Sequence, residues 1–451
     1  MTTSLIRASI AALTAALTLT SCGSMSMLPE YPDQGVSASP SAAPSDAAHS
    51  DTAPLPTVEG TDGGDIDRLA AKVMSDMRDL VDLPPTLRLV SWDSTKPQGN
   101  SWCGERVKDT LRNAVACRID PPLIGWDRAF LRSARDANGD LGVAVVIAHE
   151  TGHIADTSPT AVDAELAVIA REQRADCVAG AYTRSQRDTD MLTDEAVSSA
   201  FLAMLTFADA PLKPGQSAAN AHGMGTERIA AMLSGFHGDV DKCLAISEPE
   251  IADRRTRLPL TLPAGEGDMA WTPSVVGGAW ATASAFLEMD TLPRFTFAPC
   301  LPADRPVTIC PDGSVYVTPE SLTAYTDTIR REATTRVGDG TGLGVLVNVV
   351  ANRWLEANRV PTQGNQAALR AACVAGLTLV RMTTDLIEAP IVLSAGDVDE
   401  ALTEVLVRGL TTADRDGNVP ASVPDRVQAF LTGVYTATGP GACVAAYPEA
   451  R

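Results

Sequence analysis

The two halves of this 451-residue chain share an ordered series of short matches, and such an internal repeat limits the possible folds more than any other feature. Each half has a glycine-led apolar run, a segment of the form Arg-Ala-x-Cys-Val-Ala-Gly, and an acidic residue followed by arginine before its last cysteine. The matched segments are Gly139–Val143 with Gly340–Val345, Arg174–Gly180 with Arg370–Gly376, and Glu227–Cys243 with Asp425–Cys443. A charged, proline-rich break at 248–268 separates the two series. We therefore predict two related domains, residues 65–250 and 260–451.

Local signals predict that these domains are mainly helical members of the α+β class. Asp140 follows an Asn-Gly turn and can cap a helix that runs to Ile154. A second long helix is predicted from Thr160, directly after a proline. The segments Thr86–Trp92 and Arg294–Phe297 are predicted to be strands.

The first 64 residues have the composition of an export signal followed by a linker. Residues 1–21 combine a positive start with a short apolar stretch, and the following Leu-Thr-Ser-Cys22 resembles the bacterial lipobox. That resemblance implies that Cys22 is acylated and becomes the mature N-terminus. A transmembrane helix or an ordinary secretory signal is the alternative, but a span needs roughly 20 apolar residues. Residues 22–64 are predicted to be a disordered tether, which would place the protein on the extracytoplasmic face of the cell membrane.

The charge balance excludes one class of partner. Aspartate and glutamate outnumber lysine and arginine by 56 to 36, which gives a formal net charge of −20. Such a chain repels a phosphate backbone, and no basic stripe with interleaved aromatic residues offsets that repulsion. We therefore expect no nucleic-acid partner.

A zinc-binding pattern of the form H-E-x-x-H lies in the first half, at residues 149–153. Residues four apart lie on one face of a helix, so His149 and His153 can reach one Zn²⁺ ion. Glu150 would then lie beside the metal, where it can accept a proton from water. The alternative is a pair of solvated histidines, but the apolar run Ala144–Ala148 predicts that this helix is buried.

A catalytic zinc of this kind needs a third protein ligand and an open position for water. The longer pattern with a third histidine is absent, so a downstream carboxylate is the candidate. Glu172 lies on the predicted next helix, with Asp176 one turn further along the same face. The spacing Glu-x-x-x-Asp resembles that of the thermolysin-like gluzincins, which implies that Glu172 binds the metal and that Asp176 orients a ligating histidine. The alternative for Glu172 is an exposed ion pair with Arg171 or Arg174.

Beyond the metal motif, the chain resembles the bacterial neutral zinc metallopeptidases over roughly residues 65–250. The resemblance rests on the motif together with segments 172–180, 222–223, 227–229 and 235–243. The chain departs from the family pattern because no second histidine follows His153 and because Arg174 stands where uncharged residues are usual. Neither departure removes a proposed ligand. The resemblance implies a zinc metallopeptidase, and we expect an endopeptidase in preference to an exopeptidase, acting on a peptide or protein substrate.

A gluzincin-like mechanism also calls for a side chain that stabilises the oxyanion formed during hydrolysis. His222, which comes from a later segment, is the candidate for this role. The alternative is a surface or capping histidine that precedes a helix near Thr226.

The second half lacks every proposed catalytic group at the matched positions. In the order His149, Glu150, His153, Glu172, Asp176 and His222, the residues that replace them are Ala351, Asn352, Leu355, Ala368, Ala372 and Pro420. Joint loss is expected if these residues act as a unit. We therefore interpret the second half as a degenerate zincin-like domain that cannot bind zinc through the same site, and that stabilises the first half, shapes its cleft or recruits a protein partner.

Eight cysteines remain after Cys22, four in each half, and an even number in an exported chain predicts disulfides. In each half we pair the two cysteines that are nearest in sequence. We pair the cysteine of the Arg-Ala-x-Cys-Val-Ala-Gly segment with the last cysteine of the same half, which ties that predicted helix to the end of the repeat. The predicted bridges are Cys103–Cys117, Cys177–Cys243, Cys300–Cys310 and Cys373–Cys443.

These features predict a zinc-dependent peptidase anchored to the membrane by lipid. The alternative is a non-catalytic envelope interaction or scaffold protein that retains a structural zinc. Replacement of Glu150 separates the two, because it removes the proton acceptor and leaves the three proposed ligands in place.

Overall fold

A computed structural model describes most of the chain after the predicted tether. The described residues are 54–96, 113–156, 164–186, 192–213, 221–258, 268–289, 293–300, 305–333, 335–384 and 390–449. The predicted signal peptide, Cys22 and Cys103 lie outside these ranges. Within them the protein is mainly helical with two small mixed sheets, which confirms the predicted α+β class. No helix among the described residues is long and apolar enough to cross a membrane.

The first half consists of a four-stranded sheet and seven described helices. Its strands are β1 (Val58–Glu59), β2 (Arg88–Trp92), β3 (Ala114–Cys117) and β4 (Leu123–Asp127). Its helices are α1 (Asp65–Leu80), α2 (Arg128–Ala155), α3 (Ala164–Ser185), α4 (Asp194–Thr206), α5 (Gly225–His237), α6 (Val240–Leu244) and α7 (Glu248–Arg257). The strand order is β1-β2-β4-β3, with β3 antiparallel to β4 and the other pairs parallel.

Strand β1 lies inside the segment that the sequence predicted to be a disordered tether. Val58 and Glu59 pair with Leu89 and Val90 of β2, so the ordered chain begins before residue 65. Arg88 strengthens this edge through an ion pair with Glu59, in which the closest nitrogen and oxygen are 2.7 Å apart. A strand of two residues shows no alternation that a sequence pattern could reveal, and its stability comes from the neighbouring strand.

Helix α2 is the centre of the first half and carries the metal motif. It contacts α1, α3, α4 and strand β3. The helix is interrupted at Gly139, whose φ of 67° falls in the left-handed region that glycine tolerates. The predicted helix from Asp140 to Ile154 is thus present, but a further helical segment precedes it. That segment begins after Asp127, whose carboxylate accepts a hydrogen bond from the backbone N–H of Ala129.

The second half repeats this arrangement in a shorter form. Its strands are β5 (Phe295–Thr296), β6 (Val307–Ile309) and β7 (Val315–Val317). Its helices are α8 (Pro273–Phe286), α9 (Pro319–Glu332), α10 (Asp339–Ala357), α11 (Asn365–Thr384), α12 (Ala395–Val407), α13 (Val423–Tyr435) and α14 (Pro440–Ala446), with a short 3₁₀ helix at Leu410–Thr412. The order β5-β7-β6, parallel then antiparallel, matches that of β2-β4-β3.

A close helix crossing recurs in both halves at matched glycines. In the first half, a Cβ added to Gly235 of α5 would overlap the carbonyl oxygen of Cys177 on α3. In the second half, a Cβ added to Gly433 of α13 would overlap the carbonyl oxygen of Cys373 on α11. The two helices of each pair therefore pack with their backbones in contact, as in close crossings formed by small residues.

Three of the four predicted disulfides lie among the described residues. Bridges join Cys177 to Cys243, Cys300 to Cys310 and Cys373 to Cys443, which confirms these three pairings. The first and last bridges connect the crossing helix, α3 or α11, to the short helix that follows the crossing, α6 or α14. The fourth predicted bridge involves Cys103, which the structure does not describe.

The two halves pack through equivalent helices. Helices α4 and α5 of the first half contact α12 and α13 of the second. The order of elements makes α4 equivalent to α12 and α5 equivalent to α13. The contact thus resembles the isologous interface of a two-fold dimer, formed here within one chain.

The crossing predicts a large penalty for a single methyl group. Gly235→Ala should lower the free energy of unfolding by about 3 kcal/mol, because the added Cβ meets backbone and the helices must separate. Gly277→Ala in α8 is the matched control, because an added Cβ there meets nothing within 4 Å. We expect that control to be neutral or stabilising by up to roughly 1 kcal/mol. Chemical denaturation of both variants measures the difference, and equal effects would contradict the proposed backbone contact.

Candidate metal centre

The imidazoles of His149 and His153 converge on one point beside helix α2. Their Nε2 atoms are 3.1 Å apart, and the ring planes stand at 86° to each other. The burial of α2 fixes this face, because Val143, Ala144 and Ile147 are fully buried on the preceding turns. The four-residue spacing and the apolar run therefore direct both side chains towards α3.

Glu172 of α3 is the third member of this cluster, and we call the side chains of His149, His153 and Glu172 the metal group. Its Oε2 lies 3.4 Å from Nε2 of His149, and its Oε1 lies 3.5 Å from Nε2 of His153. The two helices approach closely at this level because Gly152 packs on Ala175, where a Cβ on the glycine would lie 2.7 Å from the alanine Cα. The second variable residue of the motif, Gly152, thus has a packing role.

The donor geometry fits a tetrahedral zinc ion. Ligand atoms at 2.0 to 2.1 Å from Zn²⁺ in a tetrahedron stand about 3.3 to 3.4 Å from one another. The two imidazole Nε2 atoms are 3.1 Å apart, while His149 is nearest to Oε2 of Glu172, at 3.4 Å, and His153 is nearest to Oε1, at 3.5 Å. One ligand atom from each of the three residues lies within 4.8 Å of the other two. Two imidazoles and one carboxylate are also a ligand set that catalytic zinc uses. The residues present therefore fit a zinc ion in ligand type and spacing.

Asp176 and Arg228 lie on the Nδ1 side of His149, opposite the ring nitrogen that faces the other donors. Oδ1 of Asp176 lies 2.8 Å from Nδ1 of His149, although the ring N–H is not well aligned with it. Arg228 donates two hydrogen bonds to the same carboxylate, from Nε at 2.9 Å and from Nη2 at 2.7 Å. Its Nη2 also lies 3.9 Å from Oε2 of Glu172. One arginine thus fixes the carboxylate behind His149 and contributes positive charge beside Glu172.

Burial and nearby opposite charges shift the pKa values of His149, His153 and Glu172. Burial disfavours a charged imidazole at His149, but contacts with Asp176 and Glu172 outweigh it and raise the pKa of His149 to about 10. Burial and the neighbouring His149 lower the pKa of His153 to about 4. Burial opposes the negative charge of Glu172, yet His149 and His153 hold the pKa of that carboxyl well below its usual range. Metal binding requires the Glu172 carboxylate and two neutral imidazoles, so zinc has to displace the proton that the raised pKa of His149 favours.

Glu150 faces an open cavity of about 400 Å³ beside the group. The same cavity is lined by His149, His153 and Glu172, and by the outer strand β3. Burial raises the pKa of Glu150 to about 7, with smaller opposing contributions from His149 and from the backbone of Ala116. A carboxyl in this environment can exchange a proton near neutral pH.

His222 lies at the rim of that cavity, with its side chain 54% exposed. Asp209 fixes the segment, because its carboxylate accepts hydrogen bonds from the backbone N–H groups of His222 and Gly223. Asp209 also raises the pKa of His222, and Nδ1 of the ring is 3.7 Å from Oδ1 of the carboxylate. The structure therefore brings His222 to the same cavity as the metal group, with its side chain partly in solvent.

Two supporting residues had no role assigned from the sequence. Arg228 appears in the sequence only as a member of a matched segment, and Asp209 does not appear in any motif. The repeat contained a signal for the first, because arginine occupies the matched position 426 in the second half. Asp209 left no such signal, since its function depends on the folding of one loop.

The matched positions in the second half form packed core. Ala351, Leu355, Ala368 and Ala372 are buried and offer no donor atoms. Asn352, in the place of Glu150, donates from Nδ2 to the carbonyl oxygen of Ala413. The matched positions of the second half are therefore part of its core and carry none of the proposed ligands.

The matched arginine has a new set of partners there. Arg426 donates to the carbonyl oxygens of Val405, Leu406 and Pro420. Burial lowers the pKa of Arg426, whereas the carboxylates near Arg228 outweigh the same effect and raise its pKa. The arginine keeps its packing position in both halves, but only the first half pairs it with a buried carboxylate.

One other cluster among the described residues could offer three oxygen ligands. Asp268, Asp339 and Glu400 place carboxylate oxygens within 4.8 Å of one another in the second half. This cluster contains no histidine or cysteine, so it lacks the nitrogen or sulfur donors that zinc usually has.

Comparison of the chain with protein-family models, with curated proteins and with solved structures found no match. The resemblance to the neutral zinc metallopeptidases therefore stays a prediction from the sequence motifs.

The geometry predicts one zinc ion per chain. His153→Ala should abolish stoichiometric zinc binding, because two donors remain where a stable site needs three. His237→Ala, at the far end of α5, is the matched control and should retain the ion. Elemental analysis of the purified chains measures this stoichiometry, and a value near two, or zinc retained by His153→Ala, would contradict the assignment.

Proposed function

We propose that the protein is a zinc-dependent peptidase whose metal ligands are His149, His153 and Glu172. The observation that carries this proposal is the convergence of three donors of the zinc-binding type from two helices, each of which offers a ligand atom within 4.8 Å of the other two. The H-E-x-x-H motif does not contain this third donor, since Glu172 comes from another helix.

The surroundings of the group favour catalysis over a structural role. A structural zinc is normally enclosed by four protein ligands, whereas a catalytic zinc keeps an open position. Here three ligands converge beside a cavity of about 400 Å³, and Glu150 faces that cavity. The remaining coordination position would therefore be open to water and substrate.

Strand β3 supports a peptide as the substrate. It is the outer strand of the sheet in the described part of the chain, and its residues Ala114–Ala116 line the cavity. An outer strand offers backbone N–H and C=O groups that can pair with an extended peptide. Such pairing would place a peptide carbonyl near the metal group without any need for a particular side chain.

The hydrolytic step would follow from the placement of these residues. Zn²⁺, when bound, would supply Lewis acidity that polarises the peptide carbonyl and acidifies water. Glu150 would accept a proton as the water oxygen forms a bond to the carbonyl carbon, and would return that proton to the amine nitrogen as the C–N bond breaks. His222 would donate a hydrogen bond to the oxyanion that forms in between.

We further propose that the chain consists of two zincin-like domains, of which only the first is active. The repeated strand order, the repeated helix crossing and the repeated disulfide support a common origin of the halves. The second half has apolar residues in place of the ligands. Together with the proposed acylation of Cys22, this describes a lipid-anchored peptidase on the extracytoplasmic face of the cell membrane.

Replacement of Glu150 tests catalysis separately from metal binding. Glu150→Gln should retain one zinc per chain and lose at least roughly 10² of the turnover rate, because the amide cannot accept the proton. Glu195→Gln, an exposed residue of α4, is the control and should leave turnover unchanged. A peptide-library cleavage assay with and without chelator measures the rates. Full turnover by Glu150→Gln, or no chelator-sensitive turnover by the unmodified chain, would favour the scaffold alternative.

His222 should affect the rate but leave the metal in place. For His222→Ala we expect unchanged zinc stoichiometry and turnover reduced by roughly 10² to 10³, the usual cost of removing one oxyanion donor. The comparison uses turnover at saturating substrate and zinc content on the same samples. An unchanged rate would assign His222 a structural role.

A further inference from the structure

The metal group depends on a helix whose first turn is held by the other half of the chain. Helix α5 begins at Gly225, and Arg228 lies within its first turn. Arg228 fixes Asp176 behind His149, so the position of this turn determines the position of the supporting carboxylate. The segment just before α5 also carries His222.

Asp399 of α12 binds the start of that helix directly. Its Oδ2 accepts a hydrogen bond of 2.8 Å from the N–H of Gly225, and its Oδ1 accepts one of 2.7 Å from the N–H of Thr226. Asp399 is fully buried. The first N–H groups of a helix have no partner within the helix, and a carboxylate satisfies them while also interacting favourably with the helix dipole.

The approach of the two helices is closely fitted at this point. A Cβ on Gly225 would lie 2.9 Å from the Asp399 carboxyl group and 2.6 Å from a methyl group of Leu205. The residue before the helix, Met224, offers no side-chain hydrogen bond as a cap. Asp399 therefore performs for α5 the function that a capping residue of the same segment usually performs.

The equivalent contact in the opposite direction, from α4 of the first half to α13 of the second, is different. Counting from the starts of α4 and α12, Ser198 is the residue of the first half that corresponds to Asp399. Its hydroxyl donates to the carbonyl oxygen of Leu406 at 2.7 Å, and it does not cap α13. Helix α13 is capped instead by the neighbouring Ser422, which accepts from the N–H of Asp425. Of these two equivalent helices, only the one beside the metal group is capped from the opposite half.

We infer that Asp399 is a positioning residue for the metal centre, through which the second half holds the first turn of α5 and thereby Arg228, Asp176 and His149. This inference rests on the proposed zinc function, and it gives the degenerate half a defined task in the same site. Loss of the carboxylate would leave two buried N–H groups without their acceptors and would release the turn that carries Arg228.

The second half supplies a closely matched control. Glu404 lies on the same helix and is also fully buried. Its carboxylate accepts hydrogen bonds of 2.8 and 2.7 Å from the N–H groups of Leu410 and Thr411, at the start of a helical turn within its own half. Glu404→Gln therefore removes a carboxylate with the same kind of backbone partners and no contact with α5.

The test compares zinc affinity among full-length chains by competition with a chromophoric chelator. It is run well above the pKa of about 6 to which burial raises Asp399, so that its carboxylate is ionised. Asp399→Asn should weaken zinc binding by roughly 10-fold, the lower end of the range for residues that orient metal ligands. Glu404→Gln should leave the affinity unchanged. Asp399→Ser, which introduces the residue type of the matched position 198, is a milder second variant and should weaken binding in the same direction.

Hydrogen exchange of the metal-free chains gives a second readout. The amides at the start of α5 should exchange faster in Asp399→Asn than in Glu404→Gln. Equal zinc affinities for these two variants, or equal exchange at α5, would overturn the inference while leaving the peptidase proposal intact. If the unmodified chain bound no zinc, the proposed function would fail first, and the inference with it.

Discussion

The close crossing of α3 and α5 is the contact on which the rest of the first half depends. Glycine at position 235 lets the two backbones touch, and this proximity brings Arg228 within reach of Asp176 in a region closed to solvent. A bidentate pair between arginine and carboxylate has a fixed geometry. The crossing thus determines where the Asp176 carboxylate stands, and that carboxylate determines the environment of His149. The Cys177–Cys243 bridge then joins α3 to α6, the short helix that follows α5.

Burial of so many charges in one place requires that each has a partner. Asp176 is fully buried and is paired with Arg228 and His149, and removal of one member of such a group leaves an uncompensated charge. The second half shows how the same helix crossing packs without the buried carboxylate. Ala372 replaces the carboxylate, and Arg426 donates instead to main-chain carbonyl groups. The packing of the crossing survives this exchange because it depends on glycine and backbone, not on charge.

The two halves meet through equivalent helices, as two subunits of a dimer would. Equivalent positions in the two halves nevertheless carry different side chains. The first half keeps the polar group and its cavity, whereas the second half keeps the fold and supplies a carboxylate to the first. Asp399 and Ser198 occupy matched positions, yet one accepts hydrogen bonds from a helix start and the other donates to a carbonyl oxygen.

The sequence by itself determined the helical character, the repeat, three described disulfides, and the convergence of His149 and His153. These features depend on spacing within one helix or on ordered matches along the chain, which a sequence displays directly. The strand β1, the role of Arg228 and the cap from Asp399 were decided by tertiary structure alone. Their partners lie far away in the chain, 52 residues for Arg228 and Asp176 and 173 for Thr226 and Asp399. No local pattern encodes such contacts, because they exist only after helices from both halves have packed together.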